Sequence, residues 1–274
     1  AASDVYKRQN MYFLKRSILL LFLSNVLYSN IPLVTETKIT NPKNLLVVGN
    51  SFIYFNNGMH NPLESLVNNE EDLTENFQIR KITISGASLS WHDINSYISN
   101  PDMGSFSFDV NNNLVKKERS PFDAVIMHDC SRCPIDNKEN FHKTIEEKSK
   151  KLKKADIEPI LMMTWAYKDT PEMLEEISEE YIKAANKNDI LVIPVGLAFA
   201  EIERNFSEIE LYMKDKRHPT RAGTYLGACV IFSSIYKRSP EKNPYLFNLD
   251  PDEAIILQQV AWKVTEKFFN QERL

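Results

Sequence analysis

Asp215-Lys216-Arg217-His218-Pro219 places a carboxylate three residues before an imidazole. In a tight turn that spacing can set the carboxylate on the ring's Nδ1, which fixes the tautomer and leaves Nε2 to take a proton. Such a base serves a hydroxyl nucleophile, because serine attacks poorly until its proton is removed. Ser51, in Gly49-Asn50-Ser51-Phe52 at the end of an apolar run, is the matching serine. The combined chemistry is acyl transfer. Ser51 attacks a carbonyl carbon, His218 takes the proton and returns it to the leaving group, and Asp215 orients the ring. Charge developing on the carbonyl oxygen needs fixed donors, and the backbone N–H groups of Ser51 and Gly86 are the natural ones. Glycine at 86 also lets the backbone approach a substrate closely. Singly, each residue has a plainer use: Ser51 as a helix cap, His218 as a helix-entry residue, Asp215 as a surface acid. Together they are better explained by the acyl-transfer reading.

These residues need a scaffold that brings positions 51, 86 and 218 to one place. Five short apolar runs recur along the chain: Asn44 to Val48, Phe77 to Ser85, Asp123 to Met127, Pro159 to Met163 and Ile190 to Ile193. Between and after them lie helical patterns, over Gly58 to Val67, Trp91 to Ile98, 138 to 154, Pro171 to Asn186, Leu197 to Glu203, Pro219 to Tyr236 and Pro251 to Phe269. Asp169-Thr170-Pro171 has the cap-then-proline form of a helix start. Residues 99 to 120 are polar and predict a long loop with a small hairpin. Strands alternating with helices predict an α/β protein, a three-layer α/β/α sandwich around a mostly parallel five-stranded sheet. Ligands in such folds bind at the carboxyl ends of the strands. Four of the apolar runs are followed by candidate chemistry: Gly49-Asn50-Ser51, Ser85-Gly86-Ala87-Ser88, His128-Asp129-Cys130-Ser131 and Thr164-Trp165-Ala166-Tyr167.

In this order and on these strand ends, the motifs resemble those of the SGNH (GDSL-like) serine hydrolases. Gly49-Asn50-Ser51-Phe52 is similar to the nucleophile motif of that superfamily, Gly86 to its glycine after the second strand, and Asp215-x-x-His218-Pro219 to its closing motif. The apolar stretch Ala222 to Phe232 resembles the helix that comes next in the superfamily. The resemblance spans roughly Asn44 to Tyr236. It implies a flavodoxin-like fold and cofactor-free ester hydrolysis through Ser51, His218 and Asp215, with an acylated or acetylated carbohydrate as a substrate by family habit. An acyltransferase could use the same residues. The sequence departs from the pattern after the third strand, where the usual Gly-x-Asn-Asp is replaced by His128-Asp129-Cys130-Ser131. The superfamily's third oxyanion donor is an asparagine side chain there. His128 and Ser131 are the candidates in its place, and losing one such donor costs about 100-fold or more. That departure motivates the alternative, a non-catalytic glycan-binding or surface protein on the same fold.

The remaining features narrow the field. The 274 residues are 43% hydrophobic with a formal net charge of -4, which lacks the basic stripe of a nucleic-acid binder. The lysines at 148, 150, 151, 153 and 154 are interleaved with acids on a helical pattern and predict a solvated face. Residues 1–10 precede the first methionine and carry no fold signal, so they are set aside as extraneous. From Met11, two basic residues and the apolar run Ser17 to Leu27 have the shape of a secretory signal over 11–30. The body, 31–274, is then one exported domain, periplasmic or extracellular, with no stable membrane insertion after cleavage. An uncleaved N-terminal anchor is the other reading of that segment. Cys130 and Cys133 form a C-x-x-C that predicts a local disulfide or two free thiols, in a chain with no thioredoxin-like pattern. Zinc there would need further ligands at a spacing unlike a standard finger, so no metal is assigned. Cys229 lies in an apolar helix and predicts a buried small residue. Trp91, Trp165 and Tyr167 come after strand ends; they can line a sugar- or acyl-binding mouth or simply pack. His60, His92 and His142 predict surface or satisfied core positions, with a substrate contact open to His60. No Gly-x-Ser-x-Gly, His-Glu-x-x-His, Walker loop or Gly-x-Gly-x-x-Gly occurs.

Overall fold

The computed structural model describes residues 31–270; the extraneous and signal segments read at 1–10 and 11–30 lie outside the described residues. Five parallel strands form the central sheet: β1 (Asn44–Gly49), β2 (Gln78–Thr83), β5 (Ala124–Met127), β6 (Glu158–Met162) and β7 (Leu191–Ile193). Their spatial order is β2-β1-β5-β6-β7, all neighbours parallel. This is the flavodoxin-like arrangement. The chain leaves β1 toward β2 and later returns to β5 on the other side of β1, so the sheet's switch point lies between β1 and β5. Ligands of such folds bind beside that point at the carboxyl ends of the strands, and here Asn50-Ser51 follow β1 and His128 follows β5.

The strands read as continuous apolar runs because both faces are covered. Alternate residues enter opposite layers. Leu45 and Val47 join one core with Ile126, Ile160 and Ile193. Leu46 and Val48 join the other with Val125, Leu161 and Val192. The first layer holds α2 (His60–Asn68), α7 (Val195–Asn205), α8 (Arg221–Tyr236) and α9 (Pro251–Phe269), after the short α1 (Ser51–Tyr54). The second holds α3 (Ile94–Ser99), α5 (Lys138–Lys154) and α6 (Met173–Asn188), with the short α4 (Cys133–Asp136) leading into α5. Apart from Arg221, every residue of α8 is buried, which is why its sequence is apolar all round. Among the described residues no helix is long and apolar enough to cross a membrane.

The boundaries are set by local chemistry. Helix α5 starts where the Asn137 side chain accepts from Asn140 N–H, and its last turn carries Lys151, Lys153 and Lys154, which suit the carboxyl end of the helix dipole. Helix α9 opens on Asp250, which accepts from the N–H groups of Asp252 and Glu253, with Pro251 in the first turn. Helix α6 differs from its prediction. Pro171 sits in a turn outside the helix, because Tyr167 and Thr170 close a bridge and Met173 N–H donates to Thr170 O, so the helix starts at Met173. Helix α8 likewise begins after Pro219, capped by the Thr220 hydroxyl, which accepts from Gly223 N–H. The 99–120 loop contains the hairpin β3 (Phe106–Phe108) and β4 (Leu114–Lys116). Lys148 departs from the solvated-face reading: it is buried, and its ammonium donates to His92 O at 2.6 Å. The stem packs in the second layer while the charge reaches a carbonyl.

Candidate active site

The register brings the site together. Gly49 pairs with Thr83 and Val48 with Met127, so the residues after β1, β2 and β5 reach one end of the sheet at a common level. After β1 the chain turns into α1 at once. The Asn50 side chain caps this turn by accepting from Phe52 N–H at 3.1 Å, and Ser51 is its first residue. Asn50 also donates from Nδ2 to Ala87 O at 3.0 Å, which ties the serine turn to the loop after β2. In that loop Gly86 adopts φ +68°, a conformation glycine takes without strain, and a Cβ there would meet nothing within 4 Å. The N–H groups of Ser51 and Gly86 donate to no acceptor among the described residues.

The third element is the turn before α8. Lys216 at φ +63° reverses the chain, and Met213 N–H donates to His218 O at 2.8 Å. Asp215 Oδ1 accepts from the N–H groups of Arg217 and His218, both at 3.0 Å. Its other oxygen, Oδ2, lies 2.5 Å from His218 Nδ1. His218 Nε2 lies 2.8 Å from Ser51 Oγ. Partial burial pushes the Asp215 carboxyl up, but the His218 ring and the two N–H groups outweigh it and hold the group below the usual carboxylate range. An ionised Asp215 accepts from Nδ1–H, so Nε2 is the acceptor left for the serine proton. Phe55 stacks on the His218 ring with centroids 4.1 Å apart, and Phe52 meets its edge at 5.5 Å. The sequence reading missed Phe55; its signal was the spacing of one helical turn after Ser51.

Four predicted site residues need correction. His128 is not positioned as a third oxyanion donor. It is fully buried, its Nε2 accepts from Asn50 N–H at 3.2 Å, and its Nδ1 donates to Asp129 O at 2.9 Å. Burial lowers its pKa to about 4, so it is a neutral ring beneath the serine turn. It packs so closely on Gly49 that a Cβ there would lie 1.8 Å from its Nε2. Ser131 is also engaged, donating to Trp165 O at 3.0 Å. Trp165 is a core residue rather than part of a mouth: its ring stacks on Phe199 at 4.3 Å, and its indole N–H donates to Arg217 O at 2.9 Å. It therefore supports the turn that carries His218. Tyr167 is half-buried beneath the Arg217 guanidinium and lines a 380 Å³ cleft with Lys168, Glu203 and Tyr212, whose walls include neither Ser51 nor His218.

The other histidines have local partners or burial. His92 Nδ1 lies 3.2 Å from the Tyr97 hydroxyl, and His142 Nε2 is 2.6 Å from Glu180. His60 is half-buried at the start of α2, and burial lowers its pKa to about 4. Cys130 and Cys133 form a disulfide, and Cys229 is free and buried.

Comparison with known proteins agrees with the architecture. No family model matches the sequence, and no curated protein matches it. Among solved structures, a DUF4886 family protein from Bacteroides uniformis superposes with a TM-score of 0.56 at 18% identity, covering 84% of this chain and 97% of that one. A protein assigned as an SGNH hydrolase from Slackia heliotrinireducens superposes with a TM-score of 0.54 at 22% identity, covering 70% and 97%. The fold is that of the SGNH, or GDSL-like, hydrolases.

Proposed function

We propose that this protein is an exported serine hydrolase of carboxylic esters. The observation that carries the reading is the continuous contact from Ser51 Oγ to His218 Nε2 at 2.8 Å and from His218 Nδ1 to Asp215 at 2.5 Å. Three residues spread over 167 positions meet in the order that proton transfer requires. Ser51 attacks the acyl carbon, and His218 takes its proton and passes it to the leaving alkoxide. Water then enters by the same base and releases the acid. The N–H groups of Ser51 and Gly86 stabilise the oxyanion. No side chain from the 128–131 segment joins them, so the site works with two backbone donors. A non-catalytic binder would tolerate a serine turned away from His218, and the observed contact favours the hydrolase.

Export rests on the pattern at 11–30. An acylated or acetylated carbohydrate is the proposed substrate class. Its support is Trp91, 67% exposed in a helical turn, Leu89–Trp91, just beyond the Gly86 loop, where an indole face can stack on a sugar ring. The test is p-nitrophenyl acetate hydrolysis by the purified protein beside Ser51→Ala. Wild-type turnover with an inert variant supports the reading. Equal activity in both proteins means that Ser51 is not the nucleophile. If both are inert on this ester and on acetylated oligosaccharides, the binder takes precedence.

A further inference from the structure

The Cys130–Cys133 disulfide has no role in the hydrolysis proposed above. It joins the loop after β5 to the first residue of α4, and both cysteines are half-buried. A bridge across three positions closes too short a loop to restrain the unfolded chain strongly, so stability explains it poorly. The sequence offered no redox context for the pair, but the structure adds Asp129. That residue is 1% exposed. Its Oδ1 accepts from Leu89 N–H and Cys130 N–H, both at 2.8 Å. Its Oδ2 accepts no well-formed hydrogen bond from the described residues, although the Ser88 hydroxyl is near enough to temper the charge. A carboxylate oxygen of Asp129 and the two sulfurs lie within 4.8 Å of one another. Burial pushes the Asp129 carboxyl up, which favours a proton on it. A buried carboxyl oxygen with no better partner than this is costly and calls for a use.

We propose that Cys130 and Cys133 form a reversible dithiol–disulfide exchange site for small dithiols, with Asp129 handling the proton of the leaving sulfur. An incoming thiolate attacks one cysteine sulfur, the S–S bond breaks, and the electron pair leaves on the other sulfur. Protonated Asp129 delivers its proton there, giving a neutral thiol. The donor's second thiol loses its proton to the Asp129 carboxylate and attacks the mixed disulfide. The second cysteine departs as a thiolate and takes a proton from water. The donor leaves as its disulfide, and two electrons and two protons have passed to the protein. The reverse sequence closes the bridge again. The proposal does not rest on the hydrolase reading, because it concerns sulfurs that the ester chemistry does not touch.

The experiment treats the intact native protein with dithiothreitol, quenches with an alkylating reagent and counts added groups by mass. Wild type should gain two groups without denaturant, on Cys130 and Cys133, at a rate no slower than the urea-unfolded chain. Cys229, fully buried, should stay unmodified. Oxidised glutathione should restore the bridge. Asp129→Asn should open roughly tenfold more slowly or worse, the loss of a proton donor. Opening only after unfolding, or native opening more than about tenfold slower than the unfolded chain, overturns the proposal; equal rates for wild type and a folded Asp129→Asn protein overturn it as well. Should that variant not fold, the native-versus-unfolded comparison in wild type decides alone. Ester hydrolysis enters none of these readouts, so failure here and failure of the hydrolase reading are separate results.

Discussion

Replacing Asp215 by asparagine removes a charge while preserving shape, and the turn geometry dictates which tautomer His218 adopts in response. Oδ1 accepts two backbone N–H groups, and Oδ2 faces His218 Nδ1. The new amide has one acceptor and one donor group. Turning its NH₂ toward the two backbone donors would set donors against donors, so its oxygen stays on them and its NH₂ faces Nδ1. Nδ1 must then accept, the ring proton moves to Nε2, and Nε2 can no longer take the serine proton. The expected fall in kcat is about 10³–10⁴-fold, the cost of the wrong tautomer, or ~4–5.5 kcal/mol of barrier. KM and thermal stability should change little, because the turn keeps both backbone hydrogen bonds. Asp215→Ala should do the reverse: it loses the turn contacts and some stability, but it leaves the ring free to adopt the productive tautomer. In p-nitrophenyl acetate kinetics the asparagine variant should therefore be the slower of the two, although it is the better folded. An asparagine variant within about tenfold of wild type across the pH range would refute this account of Asp215.

The buried cradle and the glycines make further predictions. His128, buried and neutral with a pKa of about 4, binds no proton in the folded state at pH values where the unfolded chain's histidine does. Stability should thus fall as pH drops from about 6.5 towards 4, by up to ~3 kcal/mol from this group; urea unfolding at about pH 7 and about pH 5 should show His128→Gln losing less than wild type. Gly49→Ala would drive a methyl into His128 and strip Asn50 N–H of its acceptor, a loss of about 3 kcal/mol or more by overpacking and an unsatisfied donor. Gly86→Ala meets open space and should cost only the backbone strain at φ +68°, about 1–2 kcal/mol; thermal melts of the two variants should separate widely, and similar shifts would contradict both arguments.

The sequence by itself determined the layered α/β plan, because strands buried on both faces must be continuously apolar and their helices amphipathic. It also singled out Ser51 and Gly86 by residue type and strand-end position, and Asp215 and His218 by residue type and spacing, all of it local information. Asp215 and His218 are close enough in sequence that a turn alone could bring them together. Tertiary structure decided what depends on partners distant in the chain. Trp165 could pack or line a mouth, and only the stacking of Phe199 and the carbonyl of Arg217 place it in the core. His128 came after a strand as a donor candidate should, but Gly49 leaves room for its ring beneath the serine turn, where both nitrogens are engaged inside the protein. Lys148 looked solvated by pattern, and a carbonyl 56 residues away drew it inward. The meeting of His218 with Ser51 spans 167 positions and is set by strand order and register, which local periodicity does not encode.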